Sequence, residues 1–140
     1  MKAALIGCGG IGRAHALAYS QLAGVALTHV VDRDPARAQS LADEFSALPL
    51  TDLADLPAEV EVVSVTTDPA SHVPVSRALL ERGHHVFCEK PLGMKPAQSR
   101  QLLTAASTAD RALSVGFKMR YEPCFELARE LVAQIGPIVQ

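Results

Sequence analysis

Hydrophobic residues occur along this chain in short apolar runs, which alternate with longer stretches where apolar positions recur at helical spacing. The short runs predict buried strands, and the longer stretches predict helices with one apolar face. The predicted strands are residues 2–6, 25–31, 48–51, 60–65, 85–88 and 113–116. The predicted helices are residues 11–21, 35–45, 73–82, 96–109 and 123–135. This alternation predicts an α/β fold with a doubly wound parallel sheet of about six strands and helices on both faces.

Composition and charge narrow the range of partners. The chain has 140 residues, of which 49% are hydrophobic and 20% are charged, and its formal net charge is −2. These values indicate one folded domain, and its scattered basic residues give no electrostatic reason to bind nucleic acid or an anionic membrane. No apolar stretch approaches the length that a membrane-spanning helix needs. We therefore expect neither nucleic acid nor a membrane as a partner.

The cysteines and histidines do not predict a metal site. Three cysteines cannot all pair, and Cys8 and Cys88 fall at the ends of predicted buried strands, where a thiol behaves as a small hydrophobic group. This usage favours a reducing compartment, and we expect the chain to be cytoplasmic. No cysteine spacing suits a metal, and the adjacent His84 and His85 should point to opposite faces of a strand.

A glycine-rich turn follows the first predicted strand and opens the first predicted helix. Its residues are Gly7, Cys8, Gly9, Gly10, Ile11 and Gly12. Glycines at this spacing allow a tight turn, close approach of a pyrophosphate to the backbone and close packing of helix against strand. The backbone N–H groups and the positive end of the helix dipole would hold the phosphates. The turn therefore predicts a Rossmann-type dinucleotide-binding domain.

An acidic residue at the end of the second predicted strand supports the same interpretation. Asp32 stands twenty residues after Gly12, where a carboxylate can accept hydrogen bonds from the adenosine ribose. A 2′-phosphate would meet a like charge there, which favours NAD. The neighbouring Arg33 could instead receive that phosphate, so NADP stays open, as does the alternative that Arg33 is only a solvated turn residue.

Four further segments resemble one known family. They are Gly12-Arg13-Ala14-His15, Thr67-Asp68-Pro69-Ala70-Ser71-His72, Glu89-Lys90-Pro91, and Gly116-Phe117-Lys118-Met119-Arg120-Tyr121-Glu122-Pro123. Their order and content are similar to those of the glucose-fructose oxidoreductase and inositol dehydrogenase family, often written Gfo/Idh/MocA. The resemblance covers essentially the whole chain. It departs at Asp68, where the family most often has proline, and at Lys118 and Met119, where asparagine and arginine are common.

The resemblance implies roles for several residues. Lys90 would be the catalytic residue, hydrogen-bonding the substrate oxygen and helping to move its proton, while Glu89 would orient the nicotinamide side. Thr66 and Thr67 would bind the cofactor. His72 would contact the cofactor or shape its pocket, with a cap on the neighbouring helix as the alternative. Arg120 would line the cofactor cleft, with a salt bridge at a helix end as an equal alternative.

The same resemblance implies that this chain is the cofactor-binding half of a two-domain enzyme. Residues 1–121 would form the NAD(P)-binding domain, and residues 122–140 the connecting helix and the start of an absent C-terminal α/β domain. The implied activity is hydride transfer between a nicotinamide cofactor and a hydroxyl or carbonyl of a sugar, polyol or related metabolite. A non-catalytic dinucleotide-binding module is the main alternative, and a methyltransferase is a weaker one because it leaves Glu89-Lys90-Pro91 unexplained. The apolar side of the last helix suggests a homo-oligomer.

Overall fold

A computed structural model of the chain describes residues 1–135, except the side chains of Ala133 and Ile135. The strands are β1 Lys2–Ile6, β2 Ala26–Val31, β3 Leu48–Leu50, β4 Val62–Val65, β5 His85–Cys88 and β6 Leu113–Val115. The helices are α1 Gly10–Gln21, α2 Pro35–Phe45, α3 Pro69–Glu81, α4 Pro96–Ala109 and α5 Pro123–Ile135. Short 3-10 turns lie at Leu53–Asp55 and Lys118–Tyr121. The expected opening of a strand at residues 136–140 lies outside the described residues.

All six strands are parallel and follow the spatial order β3-β2-β1-β4-β5-β6. The chain therefore winds outward from β1 in one direction and then returns to wind outward from β4 in the other. The order reverses between β1 and β4, and ligands of such folds bind outside the carboxyl ends of the strands at that point. The doubly wound α/β fold predicted from the sequence is confirmed.

The helices cover both faces of the sheet because alternate strand residues point to opposite sides. On one face, Leu5 and Val30 pack against Ala16 of α1 and Leu41 of α2. On the other face, a larger buried cluster joins β1, β4 and β5 to α3 and α4. Its members include Ile6, Val63, Val65, Leu79, Val86 and Leu102. The two layers hold the carboxyl ends of the strands in place around the glycine-rich turn.

The predicted start of α3 at residue 73 is wrong, since the helix begins four residues earlier at Pro69. Asp68 caps it: its carboxylate accepts a hydrogen bond from the Ser71 N–H at 3.2 Å and one from the Ser71 hydroxyl at 2.7 Å. Pro74 lies inside the helix. Strand β4 also begins two residues later than predicted, because Val60 closes a turn by bonding to the carbonyl of Pro57. The other element ends agree to within one residue.

Helix α5 carries exposed apolar side chains. Phe125 is 49% exposed, Leu131 48% and Val132 42%. These residues belong to the apolar side expected from the sequence, as does Ile135, whose side chain lies outside the described part. Among the described residues, no helix combines the length and apolar character needed to cross a bilayer.

Candidate functional site

The turn between β1 and α1 is too tight for side chains at two of its glycines. Gly7 has φ +99°, and a Cβ added there would lie 2.9 Å from the backbone of Thr66. A Cβ on Gly12 would lie 2.0 Å from the carbonyl oxygen of Gly7. The Thr66 hydroxyl donates to that same carbonyl at 2.8 Å. Glycine is therefore required at both positions to bring the turn, the helix and the end of β4 together.

The next two glycines face open space instead. A Cβ added to Gly9 or Gly10 would meet none of the described atoms within 4 Å. Gly9 is the N-cap residue of α1, and it has no side chain with which to cap the first-turn amides. Those amides have no partner within the helix, and the helix dipole places partial positive charge on them. The geometry therefore suits an anion that approaches the bare backbone.

Asp32 is fixed against this turn from the end of β2. One carboxylate oxygen accepts a hydrogen bond from the Cys8 N–H at 2.8 Å, and the other accepts one from the Asp34 N–H at 2.9 Å. A carboxylate has about four acceptor positions, so two remain for other donors. The side chain is half-buried at the rim of the cleft. This arrangement can accept hydrogen bonds from the hydroxyls of a ribose.

These groups line a cleft of about 680 Å³ at the carboxyl edge of the sheet. Of the predicted cofactor residues, it contains Gly7, Gly9, Gly10, Ile11, Asp32, Arg33, Thr66 and Thr67. It also has lining residues that the sequence reasoning missed: Arg37, Thr51, Asp52, Leu53, Ser71, Pro74 and Val75. Three of the missed residues follow β3. The strand order could have indicated them, since β3 is the neighbour of β2 and ends at the same edge.

Arg33 lies across the mouth of the cleft from the start of α3. Its Nη2 is 3.9 Å from Oδ2 of Asp68, and the Arg33 side chain is 90% exposed. The Ser71 hydroxyl, which hydrogen-bonds Asp68, holds the pKa of that carboxyl below its usual value. Asp68 therefore keeps a negative charge beside Arg33, so a phosphate seeking that guanidinium would have to compete with it.

Two of the predicted cofactor residues stabilise the backbone and the carboxylate that line the cleft. Thr66 is 9% exposed, and its hydroxyl faces the carbonyls of Ile6 and Gly7. Cys8 contributes its backbone N–H to Asp32, while burial and that carboxylate together raise the pKa of its thiol to about 12. The Cys8 thiol therefore remains protonated at neutral pH, and nothing in its surroundings activates it as a nucleophile.

His72 is buried between two loops and does not line the cleft. It is 1% exposed, with Nδ1 at 2.8 Å from the Pro91 carbonyl oxygen and Nε2 at 3.1 Å from that of Thr67. It ties the loop after β4 to the loop after β5, which fits a pocket-shaping role better than direct contact. The alternative of a helix cap is wrong, because Asp68 caps α3.

Glu89 and Lys90 follow β5 at the same edge of the sheet. The Glu89 N–H bonds to the Val65 carbonyl at 2.9 Å, which sets the residue beside the end of β4. Its carboxylate accepts from the Lys90 N–H at 3.1 Å and from Nε2 of His15 at 3.3 Å. Lys90 is exposed, and the peptide bond between Lys90 and Pro91 is cis. Neither Glu89 nor Lys90 lines the cleft that holds Asp32.

Arg120 lies outside the cleft that holds Asp32. Its guanidinium lies over the ring of Phe117, with Cζ 5.8 Å from the ring centroid. The residue is exposed and is not among those that line the cleft. Among the described residues it also takes part in no ion pair.

Within residues 1–135, no group of three or more potential ligands is placed to hold a metal ion.

A polar cluster next to Glu89 was not foreseen from the sequence. The His15 ring reaches across the sheet, with Nδ1 at 3.1 Å from Oγ of Ser64, which in turn lies 2.8 Å from the Tyr19 hydroxyl. Gly116 also touches this cluster, since a Cβ there would lie 2.7 Å from Oε1 of Glu89.

Comparison with known proteins gives a consistent result. The family model GFO_IDH_MocA, described as an oxidoreductase family with an NAD-binding Rossmann fold, matches residues 1–117. An inositol 2-dehydrogenase from Rhizobium meliloti is 31% identical over 96% of this chain and 42% of its own length. A UDP-N-acetylglucosamine 3-dehydrogenase from Acidithiobacillus ferrooxidans is 31% identical over 93% of this chain and 41% of its own length.

A solved structure agrees with these sequence matches. GenD2 from gentamicin A biosynthesis, crystallised in complex with NAD, is 34% identical and superposes with a TM-score of 0.90. The match covers 94% of this chain and 38% of GenD2. The chain thus spans about two fifths of the length of the relatives it matches.

Proposed function

The chain belongs to the oxidoreductase family with an NAD-binding Rossmann fold, and from that premise we propose that it binds NAD as the cofactor domain of a dehydrogenase. One observation carries the proposal: the open backbone at Gly9 and Gly10 lies beside the carboxylate of Asp32. An anion site next to a hydrogen-bond acceptor matches the pyrophosphate and ribose of a dinucleotide. The NAD complex of GenD2, a relative with the same fold, supports this assignment.

The adenosine half would occupy the cleft between β2, β3 and α3. Asp32 would accept hydrogen bonds from the ribose hydroxyls, while the apolar side chains of Leu53, Pro74 and Val75 would contact the adenine ring. First-turn amides of α1 would donate to the pyrophosphate. In a fold of this topology, the second mononucleotide occupies the other half of the sheet, above the ends of β4, β5 and β6. The nicotinamide would therefore lie near Glu89 and Lys90.

We propose NAD as the preferred cofactor, with NADP as the weaker alternative. A 2′-phosphate would meet the charge of Asp32, and Arg33, which could receive that phosphate, already lies 3.9 Å from Asp68. Both arginines that line the cleft thus have a carboxylate partner, since Arg37 lies 3.4 Å from Asp34. Removal of the Asp32 or Asp68 carboxylate would make a 2′-phosphate easier to accept.

Bound NAD would supply the hydride acceptor or donor. The exposed Lys90 would hydrogen-bond the substrate oxygen and hold or move its proton, and the carboxylate of Glu89 would orient the nicotinamide side. His72 would shape this region through the Thr67 and Pro91 carbonyls that its ring contacts. Arg120, whose side chain lies over Phe117, would line the cofactor cleft on the nicotinamide side.

The relatives support a proposal for the substrate class. Their names specify inositol and UDP-N-acetylglucosamine, so we propose a hydroxyl or carbonyl of a sugar, polyol or related metabolite. Residues 1–121 would form the dinucleotide-binding domain, and residues 122–140 would connect it to a further α/β domain that completes the substrate pocket. The shorter coverage of each relative supports this division. The 140-residue chain would then bind cofactor without turning over substrate.

Two lesser proposals concern the setting of the protein. A cytoplasmic location is supported by three unpaired cysteines, one of them buried. Self-association through α5 is supported by its exposed Phe125, Leu131 and Val132. Size-exclusion chromatography over a range of concentrations tests the latter, and a monomer at every concentration would refute it.

Calorimetric titration of the 140-residue chain with NAD⁺ and NADH tests the main proposal. We expect saturable binding of one equivalent of each and no oxidation of inositol or other polyols by the chain alone. Absence of heat with either nucleotide, on folded protein, would refute it. Substantial dehydrogenase activity from the isolated chain would refute the division into cofactor and substrate domains.

A further inference from the structure

A half-buried polar chain runs from helix α1 across the sheet to Glu89. It consists of the Tyr19 hydroxyl, the Ser64 hydroxyl, the His15 ring and the Glu89 carboxylate, joined by distances of 2.8, 3.1 and 3.3 Å. Ser64 is 1% exposed, while the side chains of His15 and Glu89 are each 19% exposed. Buried polar groups of this kind stabilise a single arrangement only when every donor has an acceptor.

The direction of the hydrogen bonds follows from the carboxylate at the end. Ionised Glu89 can only accept, so the neighbouring Nε2 of His15 must carry the proton. In the neutral ring Nδ1 is then the acceptor, so the Ser64 hydroxyl donates to it. The Tyr19 hydroxyl can then donate to Ser64. The opposite direction would leave the lone pair of Nε2 facing a carboxylate oxygen.

The surroundings favour this one arrangement. Burial raises the pKa of Tyr19, so its hydroxyl retains the proton that it donates. The edge of the His15 ring packs against Phe87 at a centroid distance of 5.4 Å and an interplanar angle of 65°, which limits rotation of the ring. On the other side of the carboxylate, Gly116 leaves no room for a side chain without displacing Glu89.

We infer that His15 is a positioning residue for the nicotinamide end of the site, acting through Glu89 in an Nε2–H tautomer that the Glu89 carboxylate sets and to which the Ser64 hydroxyl donates. The inference rests on the proposed function, because Glu89 matters to a ligand only if the nicotinamide lies above the end of β5. Helix α1 then has two tasks. Its amino terminus holds the pyrophosphate, and its second turn sets the direction of a carboxylate on the other half of the sheet.

The test compares two ligands that differ in the nicotinamide. NAD⁺ contains it and ADP-ribose lacks it, so a group that acts on the nicotinamide changes the affinity for NAD⁺ alone. In the 140-residue chain, His15→Ala should raise the Kd for NAD⁺ by about 5- to 20-fold and leave that for ADP-ribose within about twofold, as expected for the partial loss of one hydrogen bond to a charged group. His15→Gln should recover part of the loss, because its amide N–H can replace Nε2–H.

Two further measurements separate positioning from a purely structural role. Nitrogen-15 NMR of the wild-type chain at pH 8 should show His15 in the Nε2–H form, and Ser64→Ala, which leaves Nδ1 without its donor, should give a two- to fourfold weaker NAD⁺ affinity. His85→Asn is the matched control: His85 is an exposed histidine at the opposite end of β5, whose Nδ1 accepts from Ala112. It should change neither affinity.

Each outcome decides between the alternatives. Equal losses for NAD⁺ and ADP-ribose in His15→Ala, or no loss for either, would overturn the inference, as would a wild-type ring in the Nδ1–H or doubly protonated form. If His15→Ala does not fold, the Ser64→Ala affinities and the wild-type spectrum still decide. If the wild-type chain binds neither NAD⁺ nor ADP-ribose, the proposed function itself is refuted. This result is distinct from equal weakening of both ligands in His15→Ala, which refutes only the inference.

Discussion

Replacing Gly9 by alanine should weaken NAD binding with only a small loss of stability. Gly9 has φ −81° and ψ −169°, a conformation that alanine adopts freely, and an added Cβ would meet none of the described atoms within 4 Å. Alanine is a poorer N-cap than glycine, which should cost less than about 1 kcal/mol in the free energy of unfolding. The methyl group would, however, occupy the space through which a pyrophosphate approaches the first turn of α1.

The expected loss of affinity for NAD⁺ follows from the hydrogen bonds to the pyrophosphate that the added methyl group would weaken. A hydrogen bond to a charged group contributes about 1.5–3 kcal/mol, and a methyl group on Gly9 would lengthen at least one such bond to the pyrophosphate. We therefore expect the Kd for NAD⁺ to rise at least about tenfold. Isothermal titration calorimetry measures the Kd, and urea denaturation of the free protein measures the stability.

Gly12→Ala should give the contrasting result. Its Cβ would lie 2.0 Å from the Gly7 carbonyl oxygen, whereas real Cβ atoms essentially never approach closer than 3.0 Å, so the backbone must shift by about 1 Å. Overpacking of this kind typically costs about 1–3 kcal/mol, and loss of the Thr66 bond to the same carbonyl would add about 1 kcal/mol. The higher helix propensity of alanine offsets about 1 kcal/mol of this cost. We expect a net loss of about 1–3 kcal/mol in the free energy of unfolding.

Gly24→Ala serves as the control for stability loss alone. Gly24 has φ +78° and lies between α1 and β2, at the edge of the sheet away from the cleft. Alanine there should destabilise the protein by about 1 kcal/mol and leave the Kd for NAD⁺ unchanged. A folded Gly9→Ala variant that binds NAD⁺ as tightly as wild type would refute the placement of the pyrophosphate. A Gly12→Ala variant as stable as wild type would refute the close packing at the turn.

Three further predictions test other parts of the site. Asp32→Asn should weaken NAD⁺ binding about 3- to 10-fold and improve the relative affinity for NADP⁺, since it removes a charge that repels a 2′-phosphate. Calorimetry measures the two Kd values, and an unchanged ratio between them would contradict this prediction. Lys90→Ala should leave the NAD⁺ affinity of the chain within about twofold while lowering turnover at least about 100-fold in the enzyme that carries a substrate domain. A parallel loss of both would make Lys90 a cofactor ligand. Iodoacetamide at pH 8 should label the exposed Cys124 well before Cys8, because a pKa of about 12 leaves Cys8 almost entirely as the unreactive thiol. Mass spectrometry measures the two labelling rates, and equal rates would contradict that pKa.

Much of the fold could be predicted because its signals are local. Six apolar runs alternate with helical stretches, and the glycine-rich turn marks where the first strand ends, so the class of fold and most element ends followed from short windows of sequence. The start of α3 did not. The apolar spacing placed the helix start at residue 73, whereas the effective signals are the Asp68 cap and Pro69 in the first turn.

The adenosine side of the site was predictable for a similar reason. The distance along the chain between Gly12 and Asp32 is that of one strand-helix-strand unit, and the structure brings Asp32 within 2.8 Å of the Cys8 amide. Arg120 shows the limit of such reasoning. Its segment resembles a family motif, but the side chain packs on Phe117, a contact decided by the local 3-10 turn.

The network behind Glu89 could not be read from local patterns. His15 is separated from Ser64 by 49 residues and from Glu89 by 74. Their contact depends on β4 lying next to β1 and on β5 lying next to β4, which is known only once the strand order is established. A histidine in the second turn of α1 has no sequence signal that distinguishes this role from ordinary packing under the turn.

Amide NMR of the nitrogen-15-labelled chain during titration with NAD⁺ tests the central claim most directly. The account predicts that the largest shifts occur at Gly9, Gly10 and Ile11, with smaller ones at Asp32 and Leu53, and that they saturate together at one equivalent. Unchanged signals for the glycine amides at saturating NAD⁺, or large shifts confined to other surfaces, would contradict it.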